Sequence, residues 1–413
     1  MYTKIKKCRI CGNEDLVLVL NLGVQTLTGV FPRFKDDEIT KGPLNLLKCS
    51  GKGDTCGLLQ LEHTYDLSEL YGENYGYRSG LNQNMVTHLA NKVKKIESLI
   101  SLSSGDLIID IGSNDATTLR SYSLSELTLV GVDPTGVKFK KYYPPNIKLI
   151  PDFFDSDLIK SAYPTKKAKV VTSFSMFYDL EDPIKFMKDI FDILDSDGIW
   201  IFEQSYMPFM LEKNSFDTIC HEHLEFYSIK QIQWMCNKVG FKIIDIEFND
   251  VNGGSFSVTV SKESSGFLPN NSVLASIENE KHMKLDDIET YIDFSNRISK
   301  LKLDFINFVN TVKLNNQSIA AIGASTKGNV LLQYYNLDVN AISCVGEVNS
   351  FKFDCFTPGS LIPIISEDEV LSSRPDYLLI LPWHFRSFFL QNEKFKGFKL
   401  IFPLPYLEIV ENN

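Results

Sequence analysis

From Leu107 to Asp133 the chain runs as an apolar strand (Leu107-Ile108-Ile109-Asp110-Ile111), a turn at Gly112, a short helical stretch, and a second apolar strand ending in Val132-Asp133. The same alternation continues through VVTSFSMF and GIWIFEQ, so the region is read as βαβ units around a parallel sheet. At the loop itself, Gly112 lets the backbone approach a ligand closely, and the following helix start offers unpaired N–H groups. A phosphate loop would carry more glycines and a lysine. Here Asp110, Asn114 and Asp115 surround a single glycine, which suits a ligand bearing amino and sulfonium cations. Asp133, with Pro134 behind it, stands about twenty residues on, where an acid accepts hydrogen bonds from a ribose diol. Pro151-Asp152-Phe153-Phe154, after the third strand, either covers an adenine or forms a buried pair. This spacing points to S-adenosylmethionine rather than a nicotinamide cofactor.

The N-terminal segment, to about residue 66, reads as loop-rich and holds four of the eight cysteines. Cys8-x2-Cys11 and Cys49-x6-Cys56 form two pairs, and glycine follows Cys11 and Cys56, as a knuckle turn prefers. Four thiolates with no open position predict a structural zinc site holding together a segment that lacks its own core. A length of 413 residues calls for two or three domains. The net charge of −10 argues against nucleic acid as a partner. No apolar run is long enough to span a membrane, and no signal sequence is apparent, so a cytoplasmic location is expected. A monomer is compatible with all of this.

Asn82–Leu99 spaces its apolar residues as one helical face. Residues 271–315 read as a helical connector, and four further βα units follow: SIAAIGAS, AISCVGE, YLLILPW and KLIFPLP. The candidate chemical centre is Cys220-His221-Glu222-His223-Leu224-Glu225, which holds two of only six histidines and follows the strand Ile199–Gln204. Metal binding would need further ligands there, and a structural histidine pair is possible. A histidine–carboxylate base is the third reading, with His223 as base, Glu222 orienting it and His221 on the substrate. Asn252-Gly253-Gly254 forms a tight turn with amides free to bind a substrate.

Taken together, the four cysteines, DIGSNDATTL, GVDPT, HEHLEFYS, NGGSF, GASTKGN, TPGS and LPW resemble the three-domain sugar C-methyltransferases that modify nucleotide-linked keto-deoxysugars. The resemblance covers nearly the whole chain. It implies α-deprotonation beside a ketone to an enolate, which then takes the methyl group, with Glu222 and His223 serving that step. It also implies a sugar-site tyrosine at Tyr75 or Tyr77 and a nucleotide-binding loop over Ser325, Thr326, Lys327 and Asn329. The chain departs from the family at Ala116, where a glycine is usual, at Cys220, and at residues 173–179. There Tyr178 and Asp179 stand in for an asparagine pair and a histidine.

The expected architecture is α/β: a zinc-binding segment (1–66), a doubly wound S-adenosylmethionine domain with a leading helix (67–265), and a connector with a smaller Rossmann-like domain (266–413). Methyl transfer to oxygen or nitrogen of a nucleotide-linked sugar is the alternative to transfer to carbon.

Overall fold

The computed structural model describes residues 2–51, 53–70 and 78–413. Its central sheet has seven strands, ordered Phe241–Asn249, Ser255–Lys262, Leu194–Ser205, Ala168–Phe174, Leu107–Ile111, Thr128–Val132 and Ile147–Ile150. The five from Leu194–Ser205 to Ile147–Ile150 are parallel; the first two join antiparallel. All five residues of Leu107–Ile111 are buried, as a central parallel strand covered on both faces requires. The chain order reverses between Leu107–Ile111 and Ala168–Phe174, and such a switch point opens a crevice at the strands' carboxyl ends. Gly112 and Ser175 sit there.

The leading helix spans Gln83–Leu99. Its Asn82 cap accepts from Asn84 N, and Leu89, Val93 and Ile96 are buried. Buried polar pairs pin it to the sheet: His88 Nε2 lies 2.5 Å from Glu203 Oε1, and Lys92 Nζ 2.9 Å from Glu203 Oε2.

The N-terminal segment is more ordered than its composition suggests. Leu16–Thr26, Lys41–Cys49 and Leu59–Leu61 form an antiparallel sheet, and Glu225–Phe226 adds its edge strand from far along the chain. Two register shifts in the first pair break the strict alternation that would have marked these strands.

A second parallel sheet is ordered Ile364–Ser366, Val345–Glu347, Ile319–Ile322, Tyr377–Ile380, Phe398–Phe402 and Glu408–Asn412, with the last strand antiparallel. The four expected strands are present and two more extend the edges. Residues 271–315 do more than connect. In the helix Ile288–Leu314, Tyr291, Phe294, Ile298, Leu301, Phe305, Val309 and Val312 form one buried stripe. That stripe belongs to a single apolar core running from Leu20, Leu44 and Leu46 through Phe216 and Phe226 to Ile319, Leu378 and Ile401. That core joins the N-terminal sheet to the C-terminal one, and a second cluster packs Cys8, Cys49, Cys56 and Leu58 together with Ile109, Val171 and Phe202 of the central sheet. Among the described residues no helix is long and apolar enough to cross a membrane.

Candidate active site

A cleft of about 1200 Å³ opens where the carboxyl ends of both parallel sheets face the N-terminal segment. On one wall Gly112 (φ 72°) and Asn114 (φ 49°) turn the chain out of the strand. The helix expected next does not form, because left-handed residues at Gly112, Asn114 and Ala116 (φ 61°) interrupt it, and only a three-residue 3-10 turn, Leu119–Ser121, precedes the next strand. A Cβ on Gly112 would stand 3.2 Å from Met176, so the close approach needs glycine. Asp133 Oδ2 accepts from Asn114 N at 2.7 Å, and its Oδ1 accepts from Thr135 N and Oγ1, both at 2.7 Å. A carboxylate offers about four acceptor sites, so one remains for a ligand hydroxyl. Asp110 accepts from Thr172 Oγ1 at 2.6 Å, and burial pushes its carboxyl up to about 7. Pro134, Phe153 and Phe154 line the same wall, with Phe154 edge-on to Phe186 at 5.2 Å. A close backbone turn, an acid at the second strand and an aromatic wall fit S-adenosylmethionine.

Asp115 and Asp152 are not on this wall. Asp115 is buried, accepting from Gly80 N at 3.1 Å and Thr117 Oγ1 at 2.5 Å. It docks residues 78–80 rather than a cofactor, and Asn114 Oδ1 shares that task by accepting from Ser79 N at 3.0 Å. Asp152 is exposed and accepts from Phe153 N at 2.8 Å. Ala116 has φ 61° and a fully buried methyl packed in an apolar cluster with Ile96 and Leu119.

The HEH segment divides into parts. His221 is buried away from the cleft, edge-on to Tyr65 at 4.7 Å, and burial lowers it to about 4. It is a packing residue. Glu222 and His223 are half-buried and line the cleft. The expected pairing between them is absent: His223 Nδ1–H donates to the Thr218 carbonyl at 2.8 Å, which fixes the ring and leaves Nε2 as an acceptor. Tyr178 packs against that ring at 4.4 Å. Burial and the nearby Lys327 charge lower His223 to about 4, whereas burial pushes the Glu222 carboxyl up to about 7. Glu222 reaches a seam between two distant segments. A methyl built on Gly29 would overlap its Oε1 and lie 3.7 Å from Thr326 Oγ1.

On the facing wall, Ser325 caps the helix Thr326–Tyr334 by accepting from Gly328 N at 3.1 Å. Thr326 and Lys327 occupy its first turn and line the cleft. Lys327 Nζ donates to the Asn252 carbonyl at 2.6 Å, and burial lowers its ammonium. Two expected substrate residues stand elsewhere. Gly254 leaves room for Phe209, 2.8 Å from where a Cβ would be. Asn329 is fully buried and its Nδ2 donates to the Thr28 carbonyl at 2.8 Å. Tyr75 and Tyr77 lie outside the described residues. Gly29, Arg33, Phe34 and Lys352 also line the cleft and carried no motif; only their meeting in space marks them.

At the N-terminus, the four sulfurs of Cys8, Cys11, Cys49 and Cys56 lie within 4.8 Å of one another. Cys8 Sγ is 3.4 Å from Cys56 Sγ, and Cys11 Sγ is 3.5 Å from Cys49 Sγ, near the separation of about 3.8 Å in a tetrahedral zinc–thiolate site. Gly12 (φ 72°) and Gly57 (φ 70°) supply the left-handed turns of both knuckles. Asn13 Nδ2 donates to Cys49 Sγ at 3.3 Å. The set fits a closed, structural zinc.

Comparison with known proteins gives three family matches in chain order: a zinc binding domain over residues 8–71, a methyltransferase domain over 85–246, and a C-methyltransferase C-terminal domain over 250–405. The C-methyltransferase NovU of Streptomyces niveus is 27% identical over 412 residues, covering 98% of this chain and 97% of that protein. Among solved structures, the plantazolicin methyltransferase BpumL in complex with SAH matches with TM-score 0.35 and 10% identity, over 42% of this chain and 83% of that one. The magnesium protoporphyrin IX methyltransferase ChlM of Synechocystis PCC 6803, with bound SAM, matches with TM-score 0.32 and 11% identity, over 44% and 79%.

Proposed function

We propose that this chain, which belongs to the three-domain zinc-containing C-methyltransferases that use S-adenosylmethionine, methylates a carbon beside a ketone on a nucleotide-linked sugar. One observation carries the reading. Glu222, with its carboxyl held near 7, faces the cleft between the Gly112 loop and the Thr326 helix. S-adenosylmethionine supplies an electrophilic methyl group when bound, and Gly112, Asn114, Asp133 and Pro134 would hold it, with Phe153 and Phe154 beside its adenine.

Of the two candidate bases, Glu222 is the better matched to neutral pH, because a base is most effective when its pKa lies near the working pH. Its carboxylate takes the proton from the sugar carbon next to the ketone. The C–H electron pair moves toward the carbonyl, leaving negative charge on the former ketone oxygen and a nucleophilic carbon. Lys327 places a cation in the cleft to offset that charge. His223, locked by the Thr218 carbonyl, uses Nε2 to accept a hydrogen bond from a sugar hydroxyl beside Tyr178. The helix N-terminus at Thr326, with Lys327 and Lys352, suits a diphosphate.

The deciding experiment incubates a panel of nucleotide-linked 4-keto sugars with the enzyme and S-adenosylmethionine. The expected product gains one methyl, placed on carbon by NMR, and in heavy water without S-adenosylmethionine the same carbon exchanges its proton. A methyl group on oxygen or nitrogen, without such exchange, would overturn carbon transfer.

A further inference from the structure

The outer end of the cleft is not used by the chemistry above. Phe351 is 83% exposed and Phe34 67% exposed, yet both line the cleft. Single exposed aromatics are common on protein surfaces. These two come from distant segments of the chain and border the same cleft on braced backbone. Asp37 Oδ2 accepts from Arg33 N at 2.8 Å and Phe34 N at 3.0 Å, and Asn349 Oδ1 accepts from Phe351 N at 3.2 Å. The Phe356 N–H donates to the Pro32 carbonyl at 2.8 Å and ties the two segments together.

From this mouth, contacts lead inward without a break. Lys352 Nζ lies 4.6 Å above the Phe31 ring, 3.9 Å from Glu347 Oε2, and donates to the Ala324 carbonyl at 2.7 Å. Ala324 precedes the Ser325 cap, and Thr326 adjoins the Gly29–Glu222 seam. Arg33, exposed at the mouth, has no ion-pair partner among the described residues. The order is thus aromatic pair, cations, helix N-terminus, base. A nucleotide-linked sugar has the same order: nucleobase, diphosphate, reacting sugar.

We propose that Phe34 and Phe351 form the nucleobase subsite, stacking the base at the mouth while Arg33 and Lys352 face the diphosphate. This rests on the nucleotide-linked substrate proposed above. It assigns part of substrate recognition to the zinc-containing segment, which contributes Phe34. Stacking uses the face of the ring, so bases of different kinds share the subsite.

Calorimetric titration tests this with thymidine diphosphate and guanosine diphosphate against inorganic pyrophosphate, on wild type, Phe34→Ala, Phe351→Ala and the double variant. Wild type should bind both nucleotides about 100-fold tighter than pyrophosphate, and each single variant should lose about tenfold of nucleotide affinity. In the double variant nucleotide and pyrophosphate should bind alike, with S-adenosylmethionine affinity unchanged. Both side chains are exposed, so the fold should tolerate their removal. A nucleotide preference that survives in the double variant overturns the subsite and leaves the proposed function standing. A wild type that binds S-adenosylmethionine but neither nucleotide overturns both.

Discussion

Glu222 and His223 are neighbours in sequence, yet their surroundings drive their pKa values apart, and this split makes their roles separable. With its carboxyl near 7, Glu222 is largely protonated in acid and ionised above neutrality. As the base, it predicts that kcat/KM rises about tenfold per pH unit below 7 and levels off above. Glu222→Gln should remove that limb and lower turnover by about 100-fold or more, with S-adenosylmethionine affinity kept. An acid limb that survives in Glu222→Gln and is lost in His223→Ala, with the larger loss of turnover in the latter, would return the role of base to histidine. Stability follows the same group. Because the folded carboxyl holds its proton more tightly than a free one at 4.5, its contribution is complete below pH 4.5 and is lost as pH rises through about 7. Thermal melts of wild type should therefore fall relative to Glu222→Gln across that window. Gly29 makes the same site falsifiable by shape. Its φ lies outside the left-handed range, so alanine suits the backbone, but the added methyl displaces the Glu222 carboxyl. Gly29→Ala should cost about 10- to 100-fold in kcat with little change in Tm. Wild-type turnover in that variant would refute the placement of the carboxylate. The sequence shows Glu222 within a motif, but nothing local links it to Gly29, because their contact depends on the whole fold.

At the scale of elements, what could be read in advance was whatever a short window encodes. The strand leading to Gly112 and the acid at Asp133 follow from local patterning, though the helix expected after Gly112 does not form, and the cysteine set follows too, because two knuckles each announce themselves. The helix Gln83–Leu99 lies where its apolar spacing put it. The strands Phe241–Asn249, at the sheet edge, and Ser255–Lys262, beside it, were not legible, since antiparallel partners carry none of the βα rhythm. The helix Thr326–Tyr334 shows how position alone misleads. Asn329 belongs to a loop motif, yet it points away from the cleft, where its Nδ2 meets the Thr28 carbonyl. One turn on, Gln333 donates to the Thr26 carbonyl at 3.1 Å and accepts from Thr26 N at 2.8 Å. These bonds dock the helix on the end of strand Leu16–Thr26. Asn329→Ala leaves the Thr28 carbonyl without that donor, a cost of about 1–3 kcal/mol. A melt lowered by a few degrees with unchanged S-adenosylmethionine affinity is expected. A nucleotide affinity lost with no change in Tm would restore Asn329 to the substrate.

Across the whole molecule, the zinc segment acts less as an appendage than as the third wall of the cleft. Its sheet takes Glu225–Phe226 as an edge strand, three residues after Glu222. Its loops bring Gly29 against the Glu222 carboxyl and Phe34 to the mouth. Arg9, between the first two cysteines, is buried, donates to the Leu61 carbonyl at 2.6 Å and lies 3.8 Å from Glu225 Oε1. The metal set is thus tied to the strand that follows the base. Structural zinc contributes about 10–16 kcal/mol in small peptides, more than a sheet this short can supply from its own core. The wall facing S-adenosylmethionine, by contrast, is built on loops of the central sheet, whose strands pair with none of the zinc segment's strands. Stripping the metal with a chelator should therefore lower Tm by several degrees and abolish methyl transfer while leaving S-adenosylmethionine affinity within about twofold, and added zinc should restore both losses. Calorimetry for binding and a methyl-transfer assay on the same samples would measure it. Full turnover in metal-free protein would show that the cleft closes without its third wall, and loss of S-adenosylmethionine binding would show that the central sheet depends on zinc as well.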